Sequence, residues 1–283
     1  DIFPQENRIG GAPLNFAVHC AGLGASVFFA TRVGNDSYGS EIVELLKSWN
    51  INTDAVQIDN HIQTGQVRVT VDKRGEPSFT IIGESAHDCL TWDASKTNLA
   101  RRSMDLLYLG TMGSRHPIAR KAIEQIIEAL PAHTKIFFDV NLRGKFYSKD
   151  LIERFFYLSH FVKLNARELT CVQTLLGFNL PRVDALKKLA DQYHIEHICL
   201  TQGAQGGVSL YQDQIFRYDA VPCKNLVNSM GAGDAFSAML ATGLLQGWKL
   251  ENTLQQAAAL AAAICEETGA IPTDKNFYRN EPG

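Results

Sequence analysis

The chain has 283 residues, of which 45% are hydrophobic and 20% are charged, and 27 Lys and Arg against 30 Asp and Glu give a formal net charge of -3. No apolar run approaches the roughly 20 residues that a membrane-spanning helix needs, and no basic block could follow a nucleic-acid backbone. This composition predicts a soluble globular protein without a membrane or nucleic-acid partner.

The six cysteines contain no CxxC pair, which favours reduced core thiols over a disulfide framework. No charged segment followed by an apolar stretch and a small-residue cleavage site precedes the first motifs. We therefore expect a cytoplasmic protein. The chain starts at Asp1 without Met and inside a strand-like piece, so we also expect that a leading segment precedes it.

Apolar runs typical of strands alternate with amphipathic segments of helical spacing, a pattern that favours βαβ units and a mostly parallel sheet. The clearest predicted strands are residues 26–33, 105–110, 135–139, 161–164 and 197–201, and the predicted helices are residues 38–49, 117–130, 167–176 and 183–193. In such sheets ligands bind beyond the carboxyl ends of the strands, so the residues that follow each strand are the first candidates for function.

One segment breaks this alternation. Residues 63–71 and 76–82 are rich in β-branched side chains and are joined by the polar residues 72–75, which predicts a β-hairpin. The pattern fits a small flap and a hairpin at the sheet edge equally well.

The strongest chemical motif is a glycine-rich turn that opens an apolar helix, with Gly231, Ala232, Gly233 and Asp234 in succession. The glycines allow close backbone approach, and the free N–H groups at a helix start attract an anion such as a transferring phosphoryl group. Asp234 has two interpretations. It either stabilises the helix start through the helix dipole or accepts the proton of an attacking hydroxyl.

A second glycine-rich helix start lies near the beginning of the chain. Gly10 and Gly11 precede Asn15, whose amide offers a donor and an acceptor beside bare backbone, as a polyol requires. A glycine-rich helix start is more often a plain turn than a ligand-binding site.

Five motifs together resemble the ribokinase (PfkB) family, most closely its fructokinase branch. Gly10, Gly11 and Asn15, followed by Gly24 and Gly34, resemble the first family signature, and the turn at 231–234 resembles the second. DVNLR at 139–143, KLNARE at 163–168 and TQGAQG at 201–206 resemble the DxNxR, KxNxxE and TxGxxG motifs. The resemblance implies an α/β, ribokinase-like, three-layer α/β/α fold, with residues 1–283 as a single domain and a lid formed by residues 63–82 and 1–9.

The resemblance also implies roles. Asp234 would be the catalytic base, and the backbone of Gly231, Ala232 and Gly233 would form the anion hole. The implied sugar-binding residues are Asp1, Gly10, Gly11, Asn15, Arg115, Asn141 and Arg143. The implied ATP-binding residues are Lys163, Asn165, Glu168, Thr201, Gly203 and Gly206, with residues 257–265 beside the adenine.

Asn165 and Glu168 would also contact magnesium through water, and the pair equally fits a helix-capping box. The two arginines, Arg115 and Arg143, could bind a sugar carboxylate, neutralise phosphate or form surface salt bridges. The sequence leaves these alternatives open.

The implied function is ATP- and Mg2+-dependent phosphorylation of a small sugar, with fructose as the leading substrate. The alternatives are a 2-keto-3-deoxygluconate kinase, another PfkB sugar kinase, or a non-catalytic sugar-binding or regulatory protein. Asn228 stands where relatives carry an aspartate that helps to bind a monovalent cation, usually potassium, and this puts potassium activation in doubt. Exposed lid edges could pair between subunits in a homodimer or be covered in other ways, and the sequence leaves the oligomeric state open.

Overall fold

The computed structural model describes residues 8–71, 77–92 and 103–280, and it has a six-stranded sheet at its centre. Its strands are β1 Thr31–Gly34, β2 Val56–Asp59, β3 Gln66–Val71, β4 Pro77–Ile82, β5 Leu106–Gly110, β6 Lys135–Asp139, β7 Phe161–Asn165, β8 His197–Thr201, β9 Gly207–Tyr211 and β10 Gln214–Tyr218. Its α-helices are α1 Ala12–Gly22, α2 Ser37–Ser48, α3 Pro117–Ala129, α4 Lys149–Leu158, α5 Ala166–Leu176, α6 Arg182–Tyr193, α7 Ala232–Leu245 and α8 Leu250–Ile264.

The central sheet has the strand order β10-β9-β8-β7-β6-β5. Strands β5 to β8 are parallel, whereas β9 and β10 are antiparallel to their neighbours. Successive side chains of a strand point to opposite faces, and accordingly Phe138 packs with α4, α5 and α6 while Phe137 packs with α1, α7 and α8. The predicted three-layer α/β/α fold with a mostly parallel sheet is confirmed.

The strand predicted at residues 26–33 is regular only from Thr31 onwards. There β1 pairs in parallel with β2, and Phe28 forms an isolated bridge with Asn52. The ladder is interrupted because the partner segment makes a turn, in which the N–H of Val56 donates to the carbonyl of Thr53 at 2.9 Å.

The predicted hairpin is present as β3 and β4, which pair antiparallel from Gln66 opposite Ile82 to Val71 opposite Pro77. These strands form a two-stranded sheet of their own and do not extend the central sheet. The flap interpretation is therefore favoured over an edge hairpin of the central sheet. The turn at 72–76 and the N-terminal part of the expected lid, residues 1–7, lie outside the described residues.

The strand register brings the carboxyl ends of the parallel strands to one edge. Gly110 lies opposite Asp139, Asp139 lies opposite Lys163, and Asn165 lies opposite Thr201. The motifs at 139–143, 163–168 and 201–206 therefore open along the same edge, as expected for a ligand site in a parallel sheet. Within the described part of the chain, no helix combines the length and apolar character that crossing a membrane requires.

Candidate active site

The glycine-rich turn forms the start of α7. Gly231 is the N-cap residue with φ 74°, and no side chain caps this end. The first helical hydrogen bond runs from the N–H of Ala235 to the carbonyl of Gly231 at 2.8 Å, so the preceding N–H groups have no intrahelical partner. A Cβ at Gly231 would stand 2.6 Å from the backbone of Ala270. Glycine is required here because the backbone is left-handed and another segment lies against it.

Asp234 lies in the first turn of α7 and is half-buried. The Asn15 amide Nδ2 donates a hydrogen bond to its Oδ2 at 2.8 Å. Burial, together with the negative charge of Asp139, raises the pKa of Asp234 to about 7, while Asn15, Lys163 and Arg143 oppose that shift. A carboxylate with a pKa close to neutral pH suits a general base.

Asn15 offers an unused acceptor at the same place. Its side chain is 5% exposed, and its Oδ1 has no hydrogen-bond partner among the described residues. A buried acceptor without a donor is costly unless a ligand supplies one. Gly11, four residues earlier, has φ 126° and open space where a Cβ would stand, which leaves room for a ligand beside the start of α1.

A buried ion pair lies beneath the glycine-rich turn. Lys163 is 6% exposed and Asp139 is 1% exposed, and the Lys163 Nζ lies 3.2 Å from each carboxylate oxygen of Asp139. Ser237 Oγ and Tyr108 OH also donate to Asp139 Oδ2, at 2.9 and 3.3 Å. A Cβ at Gly233 would stand 3.1 Å from Lys163 Nζ, so the ammonium group supports the turn from below.

Sequence reasoning assigned Lys163 to the nucleotide and gave no role to Asp139, Ser237 or Tyr108. The available signal was charge inside apolar strands: Asp139 ends KIFFD and Lys163 lies within FVKLN. A charged residue in a buried strand is almost always paired. The nucleotide-binding role of Lys163 stays a prediction.

Asn165 and Glu168 form the capping box of α5. Asn165 Oδ1 accepts from the Glu168 N–H at 2.9 Å, and Glu168 Oε2 accepts from the Asn165 N–H at 2.8 Å. Glu168 Oε1 also accepts from the Leu142 N–H at 3.1 Å, which holds the loop after β6 against α5. The helix-cap interpretation is confirmed, and the magnesium role stays a prediction.

The loop after β6 carries two predicted sugar-binding residues. Asn141 has φ 37°, a left-handed conformation that asparagine tolerates better than most residues. Arg143 is exposed, and burial raises the pKa of both Asp234 and Glu168 while the positive charge of Arg143 opposes that rise. Arg143 is therefore within electrostatic range of both carboxyl groups.

Arg115 is held by an ion pair. Its Nε donates to Asp88 Oδ1 at 2.6 Å and its Nη2 donates to Asp88 Oδ2, with a further contact to Ser85 Oγ at 3.3 Å. Its guanidinium carbon lies 4.9 Å from the centre of the Phe146 ring. The arginine side chain is only 7% exposed. A salt bridge is therefore present as the sequence allowed, but it is buried.

The turn after β8 lies next to the α5 cap because Thr201 is opposite Asn165 in the sheet. Gly203 and Gly206 both have positive φ, and a Cβ at Gly206 would stand 2.1 Å from the carbonyl of Tyr218. The turn is therefore tight, and the bare backbone at Gly203 would allow a phosphate or ribose group to come close to it. Most of residues 257–265 belong to α8, and Asp1 lies outside the described residues.

Comparisons with known proteins identify the family of the chain. The model of the pfkB family of carbohydrate kinases matches residues 4–276. Fructokinase of Escherichia coli is 30% identical over 256 residues, covering 86% of this chain and 81% of that protein. The 5-dehydro-2-deoxygluconokinase of Bacillus anthracis is 23% identical over 277 residues, covering 94% and 83%.

Among solved structures, a double mutant of fructokinase from Vibrio cholerae O395, with fructose, ADP and a potassium ion bound, has the same fold. It aligns with a TM-score of 0.80 at 22% identity, covering 96% of this chain and 90% of that chain. The chain therefore belongs to the pfkB family of carbohydrate kinases, and it is an ATP-dependent phosphotransferase that uses an alcohol group as acceptor.

Proposed function

We propose that this kinase is a fructokinase, which transfers the γ-phosphate of ATP to a primary hydroxyl of fructose. The observation that carries the proposal is the meeting of Asp234, the unpaired N–H groups of the α7 start and the unpartnered Oδ1 of Asn15. One base, one anion-binding turn and one acceptor for a hydroxyl are what phosphorylation of a polyol needs. The Escherichia coli fructokinase supports the choice of sugar.

Asn15 would accept a hydrogen bond from a sugar hydroxyl through Oδ1 while its Nδ2 keeps Asp234 in place. The acceptor hydroxyl then loses its proton to Asp234 as its oxygen forms a bond to the γ-phosphorus, and the bond from that phosphorus to the bridging oxygen of ADP breaks. The N–H groups of Ala232 and Gly233 stabilise the charge on the transferred group. Donors of this kind are worth roughly a hundredfold or more in rate each.

Magnesium fits the oxygen donors at the start of α5. Each carboxylate oxygen of Glu168 accepts one backbone N–H and keeps a second lone pair, and hard oxygen donors suit a largely hydrated magnesium ion. Among the described residues, no three acidic, His or Cys side chains converge, so contact through water fits better than direct coordination. When bound, magnesium would neutralise charge on the phosphates of ATP.

The state of Arg115 supports an uncharged sugar. The guanidinium of Arg115 is already paired with the carboxylate of Asp88, so it presents little net positive charge to a substrate carboxylate. A sugar-acid kinase is the second candidate, which the Bacillus anthracis 5-dehydro-2-deoxygluconokinase and the exposed Arg143 favour. The intact Asp234 and glycine turn argue against a non-catalytic sugar-binding protein.

The flap and the oligomeric state are further parts of the proposal. The flap formed by β3 and β4 would cover the sugar and exclude water. Its strand edges would pair in a homodimer, and light scattering of the intact protein tests this.

The cysteines suit a reducing cytoplasm, because all six are free. Only Cys20 and Cys199 are buried as core thiols, whereas Cys171 is exposed.

The deciding experiment is ADP release with ATP and magnesium across fructose, 2-keto-3-deoxygluconate, ribose, glucose and adenosine. We expect turnover on fructose to exceed turnover on the others. Asp234→Asn should lower kcat by about a thousandfold with fructose binding retained, whereas the exposed Asp191→Asn should leave kcat unchanged. Preference for the keto acid would replace fructose by a sugar acid, and an active Asp234→Asn variant would refute the assignment of the base.

A further inference from the structure

Asn228 links the start of the catalytic turn to the segment that follows α8. Its Oδ1 accepts from the Met230 N–H at 2.8 Å, and its Nδ2 donates to the carbonyls of Glu267 at 2.9 Å and Thr268 at 3.2 Å. The guanidinium of Arg8 donates to the Thr268 carbonyl as well. Two backbone carbonyls therefore face hydrogen-bond donors from two side chains.

The same two segments are joined by the backbone. The N–H groups of Val227 and Asn228 both donate to the carbonyl of Cys265, at 2.9 and 3.2 Å. Gly231 then lies against Ala270 at a distance that leaves no room for a Cβ. The position of the anion-binding N–H groups thus depends on how residues 227–231 are held to residues 265–270.

A potassium ion does not fit this arrangement. Proteins hold potassium with oxygen acceptors such as backbone carbonyls, yet here the carbonyls of Glu267 and Thr268 are already engaged by N–H donors. The Asn228 amide presents its N–H hydrogens to these carbonyls, where a cation would require an oxygen ligand from residue 228. Arg8 also places a positive charge beside the Thr268 carbonyl, and this charge would repel a cation. These N–H groups and carbonyls therefore form an internal hydrogen-bonded link and do not form a cation site.

We propose that Asn228 and Arg8 replace a monovalent cation in this kinase. Together they bridge the carbonyls of Glu267 and Thr268 to the catalytic turn, so the enzyme works at full rate without potassium. Asn228 acts through the turn and touches no reacting atom, so it is a positioning residue. The proposal rests on the phosphotransferase activity of the chain and on Gly231–Asp234 being its catalytic turn, and it does not depend on which sugar is used.

The critical variant is Asn228→Asp. A carboxylate at this position would keep one oxygen on the Met230 N–H, but its other oxygen would replace the Nδ2 donor that faces the Glu267 carbonyl, and these two acceptors repel one another. A cation would then be needed between them. The matched control is Asn252→Asp, which makes the same change of charge on an exposed position of α8.

Rates of the intact kinase with its best sugar are compared in KCl, NaCl and tetramethylammonium chloride at equal ionic strength. We expect the wild type and Asn252→Asp to vary by less than twofold between the salts. Asn228→Asp should lose about tenfold or more in tetramethylammonium chloride and recover in KCl. Asn228→Ala removes the link without creating a cation site, so its loss of rate should not respond to potassium.

Thermal unfolding in the same salts gives a readout that needs no substrate. The Tm of the wild type should not respond specifically to KCl, whereas that of Asn228→Asp should be lower in tetramethylammonium chloride and rise with KCl. A wild type that gains more than fivefold in rate, or several degrees in Tm, with KCl alone would overturn the proposal. Loss of turnover on every sugar would count against the kinase assignment while the Tm comparison still decided the cation question.

Discussion

The Nζ of Lys163 lies 3.2 Å from both carboxylate oxygens of Asp139, in a buried ion pair directly below Gly233. The two residues occupy opposite positions of β6 and β7, so the pair is fixed by the sheet register. Both charges also influence Asp234, with opposite signs: Asp139 raises its pKa, and Lys163 lowers it. The pair therefore supports the glycine-rich turn and sets the pKa of Asp234, the proposed base, from two opposite directions.

The pH dependence of kcat/KM should report this tuning. Because Asp234 must be deprotonated to act as a base, and its pKa is raised to about 7 by burial and by Asp139, we expect activity to fall as the pH drops through about 7. Asp139→Asn removes the raising charge and should move this acid limb to lower pH. Lys163→Met should move it to higher pH. Limbs that shift in the same direction in both variants would contradict the role of the pair.

The stability of the Asp139–Lys163 pair gives a second prediction. Removing one partner of a buried ion pair leaves an uncompensated charge and typically costs about 3–5 kcal/mol. We expect Lys163→Met to lower the free energy of unfolding by that amount in urea titrations at pH 7. The double variant with Asp139→Asn should recover a large part of the loss, since no buried charge remains. A single variant as stable as the wild type would show that the pair contributes no such interaction.

Asp234 should make the protein less stable as the pH rises. Its folded pKa is raised above the unfolded value, so its favourable contribution is fully present below about pH 4 and is lost as the pH rises through about 7. Asp234→Asn removes this half-buried anion and should be more stable than the wild type at pH 8, with the difference shrinking toward pH 5. Each kcal/mol should appear as roughly 2–4 °C in Tm. An Asp234→Asn variant that is less stable than the wild type at pH 8 would refute this prediction.

The sequence predicted the glycine-rich helix start at 231–234 because its glycines are a local requirement. Position 231 has a left-handed backbone and lies against Ala270, and only glycine meets both conditions easily. A Gly-Ala-Gly-Asp run before an apolar helix is the sequence pattern that indicates such a turn. The α5 cap was also predictable, since a capping box has a fixed spacing between Asn165 and Glu168.

Contacts between distant residues were harder to predict. Hydrophobic periodicity shows that 135–139 and 161–164 are strands but does not set their register, which is what pairs Asp139 with Lys163. The hairpin of β9 and β10 was missed because its turn residues, Gln212 and Asp213, adopt positive φ without the usual Asn-Gly or Asp-Gly signal. Helix α4 was missed although Ser148 caps it.

The requirement for glycine at position 231 can be tested against a matched glycine. Gly231 has φ 74° and the Ala270 backbone 2.6 Å from a would-be Cβ, whereas Gly247 has φ 67° and nothing within 4 Å. Both Gly→Ala variants carry the cost of a left-handed alanine, about 1–2 kcal/mol. Only Gly231→Ala also displaces the catalytic turn, so we expect it alone to lower kcat, by about a hundredfold. Steady-state kinetics and urea titration separate the two effects, and equal kcat in both variants would contradict the prediction.

Charge neutralisation of Arg115 by Asp88 leads to a prediction about substrate choice. The hydrogen bond to Arg115 lowers the pKa of Asp88 even though burial raises it, so the carboxylate is ionised at neutral pH. Asp88→Asn should keep the shape of the contact but release the positive charge of Arg115. Because Arg115 is a predicted sugar-binding residue, the ratio of kcat/KM for 2-keto-3-deoxygluconate to that for fructose should rise by about tenfold, as one charge-assisted hydrogen bond provides.

The change should appear in the KM of the keto acid, since a carboxylate far from the reacting hydroxyl is bound equally in the ground state and the transition state. Adding Arg115→Met to Asp88→Asn should abolish the gain, because no guanidinium then remains to bind the carboxylate. Circular dichroism and Tm check that each variant is folded. An unchanged ratio in a folded Asp88→Asn variant would contradict a substrate role and mean that Arg115 only fastens the segment after β5 to Ser85 and Asp88, which follow β4, and to Phe146, which follows β6.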